Sequence, residues 1–405
     1  MQVETIAGTN VLHERNHSQI INIQIWTDIG SSNEQKEEYG VAHFLEHMLF
    51  KGTEKRSSKR INLDSDLMGA KLNAWTWHDH TNYHINVMKE NAEKGFELLS
   101  DIYLNSIFPE DEMEKERSVI LSEMRRNDDD PSSFLADRAL DHFCQNGLAH
   151  RVIGTEDSIK ALTRSRLMEF KKSHYGTDHI LISFTGDISF AKAARLVEKY
   201  FHHVSCPKSP HPFQPSLYRS GNLTLKKGDI QESQYLLLYP ALPHLHPQAA
   251  IQGIMSMVLG GNASSLLFER VREELGLCYG IASRIYRFKG FNYLDVETSC
   301  AKDDLEHIHQ EITSIIEKIK TQKITEERVQ MIKASMLSNL YMGIESSSGL
   351  NHFLAMAYMK GERDNILQKR ITEIKSATAE RIRKIAEETF NTEPLRAQLI
   401  PLASE

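Results

Sequence analysis

The chain has 405 residues, 40% hydrophobic and 25% charged, a composition of soluble globular proteins and too long for one ordinary core, so two domains of about 200 residues are expected. Its 48 Lys and Arg against 55 Asp and Glu leave a net charge of −7, without the basic excess of a nucleic-acid binder. The first residues, Met1 to Thr5, lack a basic n-region and an apolar core, no stretch approaches the ~20 apolar residues of a membrane helix, and Cys144, Cys206, Cys278 and Cys300 form no Cys-x-x-Cys pair; the expectation is a cytoplasmic protein with reduced thiols, or an organellar-matrix one if a presequence was removed.

The alternation in Ile20–Trp26 predicts a strand, and Asp28 to Ser32 a turn after it. Next comes Val41-Ala42-His43-Phe44-Leu45-Glu46-His47-Met48-Leu49-Phe50, which reads His-x-x-Glu-His. In a helix, His43 and His47 stack one turn apart on the same face. Two imidazoles at that spacing can hold one divalent metal, and Glu46 beside them can reach a metal-associated water. Phe44, Leu45, Met48 and Leu49 would pack the helix into a core. The pattern inverts the His-Glu-x-x-His motif of zinc peptidases. By itself it also fits a surface helix with two solvated histidines, and a catalytic zinc wants a third protein ligand.

A helix is predicted near Ser58–Met68, with Gly69 as terminator. Lys71 to Trp77 and Asn82 to Val87 are strand-like and form an expected hairpin. Its histidines, His78, His80 and His84, share one face only without a bend, and a turn at Asp79-His80 makes them local polar residues. Helices follow at about 91–105 and 109–127, the second opened by Pro109. Glu116 and Glu123 lie seven residues apart on one face of it, and either is placed to be the third ligand. Asp128-Asp129-Asp130-Pro131 breaks this helix and starts another.

His43-Phe44-Leu45-Glu46-His47 followed by Phe50-Lys51-Gly52-Thr53 resembles the pitrilysin/insulinase family of zinc peptidases, most closely its processing-peptidase-like branch of short subunits, over essentially the whole chain. The resemblance implies Zn²⁺ held by His43, His47 and Glu123, the last 76 residues after His47. It implies Glu46 as general base and Glu116 as the group that orients a ligand histidine. Asn73-Ala74-Trp75-Thr76 resembles the family's edge strand, which pairs with substrate backbone. An extended peptide added to a sheet edge gains main-chain hydrogen bonds whatever its sequence.

Tyr175 to His179 precedes a strand at Ile180–Phe184, and a helix runs over about Phe190–Phe201. Pro207, Pro210, Pro212 and Pro215 mark 205–221 as a linker between residues 1–204 and 222–405. The second half repeats the order of the first. Strands are expected at 222–226, 234–239, 279–286 and 292–298, and helices at 248–259, 264–273, 303–320, 326–342 and 346–359. The repeat lacks the metal set: no His occurs from Pro247 to Lys302, and a shift of 215 residues puts Met331 and Ser338 opposite Glu116 and Glu123. It carries Arg272 and Tyr279, which resemble the family's Arg/Tyr pair. There the tyrosine hydroxyl stabilises an oxyanion and the arginine engages a substrate carbonyl.

The resemblance implies an α+β fold of two homologous domains, each a mainly antiparallel sheet backed by helices. The activity it implies is cleavage of short or unfolded peptides in a closed chamber. Full-length family enzymes have four such domains, so a homodimer with Arg272 and Tyr279 acting in trans is the expected working unit. Some relatives keep the fold, lose the zinc residues and serve as structural subunits. The complete set His43, Glu46, His47, Glu116 and Glu123 argues against that reading here; a metal-dependent binder that holds peptides uncut is a third reading, which a quenched-peptide assay with and without chelator separates from a peptidase.

Overall fold

A computed structural model describes residues 1–176, 179–202 and 215–402, which group into two compact units. Six strands form the sheet of the first: β1 (Gln2–Ile6), β2 (Thr9–Arg15), β3 (Ile20–Thr27), β4 (Lys71–Thr76), β5 (Thr81–Met88) and β6 (Ile180–Gly186), in the order β1-β2-β6-β3-β5-β4. Only the β2–β6 pairing is parallel. The second has β7 (Gly221–Lys227), β8 (Ser233–Pro240), β9 (Ile281–Arg287), β10 (Asn292–Cys300) and β11 (Leu395–Pro401), in the order β7-β11-β8-β10-β9. Again one pairing, β11–β7, is parallel. Apart from β1 the two sheets share one topology, as an internal duplication requires. This is the expected α+β fold.

The alternation in β3 explains its place. Ile21, Ile23 and Ile25 join the core formed by Val41, Phe44, Leu45, Met48 and Leu49 of the metal helix (Val41–Leu49). Asn22, Gln24 and Trp26, which the alternation would turn to solvent, are also buried. They are satisfied in a chain: Trp26 Nε1 donates to Gln24 Oε1 (2.7 Å), Gln24 Nε2 to Asn22 Oδ1 (2.7 Å) and Asn22 Nδ2 to Asn86 Oδ1 (2.9 Å). The cover is the helix Ser347–Met359, whose Asn351 donates to Asn22 Oδ1 (2.7 Å) and the Asn22 carbonyl (3.1 Å).

That helix comes from the second half of the sequence yet belongs to the first unit, which comprises 1–125, 150–212 and 341–365. Conversely, the helix Pro131–Phe143, capped by Asp130 accepting from Ser133 N (2.8 Å), packs on β8 and β11 of the second unit. Its Leu135, Ala139 and Phe143 meet Leu236, Leu238, Leu395 and Leu399 there. Helical periodicity marks which side chains are apolar, not which sheet receives them. The expected linker, 205–221, falls largely on residues outside the described set, as does Cys206.

Most expected elements form within a residue or two of their forecast ends. One differs in kind: within the helix expected at 264–273, Phe268–Glu274 winds as a π-helix, with Leu275 N donating to Arg270 O (3.2 Å). The strand expected from Tyr279 begins at Ile281, which leaves Tyr279 in the preceding loop.

Candidate metal centre

The metal helix packs its apolar face into the core and turns His43, Glu46 and His47 outward. The helix Glu110–Asp129 brings Glu123 up to them. Glu123 Oε2 lies 3.9 Å from His43 Nε2 and 3.8 Å from His47 Nε2. One donor atom from each of the three residues falls within 4.8 Å of the others, the single such group among the described residues. Tetrahedral bonds of about 2.0–2.2 Å put neighbouring donors roughly 3.3–3.6 Å apart. The two glutamate–histidine separations are therefore a few tenths of an ångström wider than the edges of a zinc tetrahedron.

Protonation states suit ligation. Burial, then the neighbouring His47, depress His43 to about 3, so its ring is neutral at physiological pH. Its Nδ1 is buried without a hydrogen-bond partner among the described residues. His47 is oriented from behind: its Nδ1 stands 3.0 Å from Glu116 Oε2, which leaves Nε2 towards Glu123. Burial alone would depress His47, but the hydrogen bond with Glu116 and the charges of Glu46, Glu116 and Glu123 outweigh it and raise its pKa. A metal at Nε2 would displace that proton.

Glu116 is also held from its other oxygen. Lys51 Nζ lies 2.6 Å from Glu116 Oε1. Burial works against ionisation, but hydrogen bonds from His47 and Lys51 keep this carboxyl below its ordinary range.

Glu46 Oε2 accepts from Thr76 Oγ1 (2.7 Å), so the last residue of β4 touches the metal helix directly. Burial raises the Glu46 pKa, with Glu123 adding to it, against the hydroxyl of Thr76 and the charge of His47. β4 is the outermost strand of its sheet, and its outer edge has no strand partner among the described residues. Asn73 pairs with His84, Ala74 with Tyr83 and Trp75 with Asn82 along its inner edge. Ala74 faces the core, whereas Trp75 lies on the opposite face against Trp26 (ring centroids 5.7 Å), His84 (4.9 Å) and His352 (5.7 Å).

The hairpin histidines belong to no group of three possible metal donors among the described residues, and His78 reaches beyond the hairpin. His78 Nδ1 lies 3.1 Å from Ser31 Oγ, and His80 Nδ1 lies 2.6 Å from Asp79 Oδ1.

In the second unit, Arg272 and Tyr279 come together. The Arg272 guanidinium lies 5.4 Å from the Tyr279 ring centroid and 4.5 Å from that of Phe268. Tyr279 is 86% exposed, the most exposed large hydrophobic side chain among the described residues. The π-turn that carries Arg272 has no signal in a pattern of helix-forming residues.

Two similar α+β units, one holding two histidines, a glutamate and an adjacent carboxylate, make up the architecture of an inverted-motif metallopeptidase. The chain belongs to the insulinase family, peptidase family M16: residues 10–156 match its insulinase model and 161–336 its "inactive domain" model. The second label agrees with a repeat that lacks the metal set. A Rickettsia felis protein named as an uncharacterized zinc protease is 31% identical over 325 residues, 80% of this chain and 78% of that one. The Bacillus subtilis protein YmxG, named in the same way, is 26% identical over 97% of this chain and 96% of its own. The fold matches a crystal structure of a protease from Helicobacter pylori with TM-score 0.93 at 23% identity, covering 99% of both chains. It also matches a peptidase M16 inactive-domain structure from Pseudomonas fluorescens with TM-score 0.91 at 16% identity.

Proposed function

We propose that the chain is a zinc peptidase of the processing-peptidase-like branch, which hydrolyses short or unfolded polypeptides held as an extended strand along β4. The observation that carries this is the convergence of His43, His47 and Glu123 beside Glu46, which is itself tied to the outermost strand of the sheet through Thr76. A zinc ion held by the three donors would supply Lewis-acid polarisation.

The residues of the chain do the rest. Glu46 takes the proton of the attacking water on its carboxylate and delivers it to the departing amine. Its burial, which favours the protonated form, suits a group that must hold a proton between the two steps. Glu116, steadied by Lys51, keeps the His47 ring turned with Nε2 outward. Asn73 to Thr76 offer a main-chain edge that fixes the peptide without reading its sequence. Thr76, at the end of that edge, sets the distance from the bound backbone to Glu46.

Residues 1–204 supply the metal site in this reading, and residues 222–405 supply Arg272 and Tyr279. The working unit is a homodimer in which the Arg/Tyr pair of one copy serves the metal of the other. The exposed Tyr279 hydroxyl donates to the oxyanion, and Arg272 engages a substrate carbonyl. Support comes from the two complementary patterns on one chain and from a second half without metal ligands. The experiment is a quenched-peptide assay on the purified protein with and without chelator. Cleavage abolished by chelator and restored by zinc is expected; a wild-type protein that cuts equally well after metal removal contradicts the reading.

A further inference from the structure

The metal helix has an unusual start. Gly40 precedes it in a left-handed conformation (φ 91°), and a Cβ there would stand 2.6 Å from Ile159 Cδ1 and 2.8 Å from Ile153 O. Only glycine fits. Gly40 has no side chain to cap the helix, so the first N–H groups need another acceptor. A distant side chain provides it: Glu34 Oε2 accepts from Gly40 N (2.7 Å) and Glu34 Oε1 from Ala42 N (2.8 Å).

The Glu34 side chain is fully buried. Burial pushes its pKa up against the bonds that hold it. His150 compensates, with Nε2 at 2.9 Å from Glu34 Oε2. The imidazole is itself fixed by stacking on Tyr39, with centroids 3.6 Å apart and planes 9° from parallel. A carboxylate at a helix N-terminus also suits the helix dipole.

We propose that Glu34 and His150 form a clamp that positions the metal helix, and through it His43, for ligation. His43 needs such help. Among the described residues its Nδ1 has no partner such as Glu116 provides for His47. The ring of His43 is therefore held by packing, edge-on against His47 with centroids 4.7 Å apart, and by the helix backbone that carries it, and Ala42, the residue before it, is held by Glu34. The two histidines are oriented by different means: His47 through its ring, His43 through the helix end. Glu34 and His150 are positioning residues and touch no reacting atom.

This inference rests on the metal reading of His43, His47 and Glu123. The test is the zinc dissociation constant of the folded apoprotein, measured by competition with a chromophoric chelator well below the melting temperature. Glu34→Ala is expected to weaken zinc roughly 10–100-fold, the range seen when groups behind a ligand are removed. His150→Phe, which keeps the stack on Tyr39 but removes the donor, should weaken it less, and His150→Gln, which restores a donor, should recover most of the loss. If Glu34→Ala does not fold, the His150 pair decides alone. Wild-type affinity in a folded Glu34→Ala, or in His150→Phe where Glu34→Ala does not fold, overturns the clamp and leaves the metal reading standing. A wild-type protein that takes up no zinc overturns both.

Discussion

Thr76 Oγ1 and Glu46 Oε2 lie 2.7 Å apart, and this hydrogen bond joins the end of an edge strand to the helix that carries two histidines. Strand and helix come from separate stretches of sequence, and in the proposed mechanism this bond would put a peptide paired to β4 and the base Glu46 in one frame.

Replacing Glu46 by Gln tests the base directly. The amide keeps the shape and can accept from Thr76, but it cannot take a proton. Zinc content should stay near that of the wild type while kcat falls by about 10²–10⁴-fold, the range of general acid–base contributions. A Glu46→Gln enzyme with full peptide cleavage would falsify the assignment.

Glu116→Gln should act through the metal rather than the chemistry. The amide loses the charge that Lys51 and His47 share and weakens the hold on the His47 ring. Zinc affinity is expected to drop about 10–100-fold, with activity recovered at saturating zinc. Activity that stays low at saturating zinc would instead place Glu116 among the reacting groups.

The first half of the site was readable for a physical reason. His43, Glu46 and His47 sit within one turn of helix, so spacing alone put them on one face. Glu123 required the resemblance, because seven-residue spacing left Glu116 equally placed. The structure separates their positions: Glu123 faces both Nε2 atoms, and Glu116 faces Nδ1 from behind. Glu34 and His150 left no trace in the sequence. Their partners are backbone N–H groups and each other, 116 residues apart, and no periodicity encodes that. The exchange of Pro131–Phe143 and Ser347–Met359 between units was invisible for a similar reason, since an amphipathic stripe does not name its partner.

The trans arrangement predicts complementation. A Glu46→Gln chain mixed with a Tyr279→Phe chain, under conditions where subunits exchange, should regain part of the wild-type activity, because each mixed dimer keeps one complete site. Neither variant alone should reach that level. Mixed samples no more active than the sum of the separate ones would show that the pair acts within one chain or not at all.

Asp295 predicts a pH dependence of stability in the second unit. Its side chain is buried in β10, accepts from Arg284 N (2.9 Å), and is pushed by burial and by Glu297 from 3.8 up to about 7. The folded state therefore holds this proton more tightly than the unfolded chain. The associated stability is fully present below about pH 4 and is lost as pH rises through about 7, a span worth up to about 4 kcal/mol. Asp295→Asn, whose amide oxygen can keep the bond to Arg284 N, should melt at a higher temperature than the wild type at pH 8, with the gap narrowing at pH 5. A gap that is constant across this range would place the titration elsewhere.

The most direct measurement is the metal content of purified wild-type protein beside Glu123→Ala, by inductively coupled plasma mass spectrometry. Convergence of His43, His47 and Glu123 on one ion predicts about one zinc per wild-type chain and a large loss in the variant, with the fold intact by circular dichroism. Equal zinc in the two proteins, or none in the wild type after growth and purification with zinc present, would contradict it.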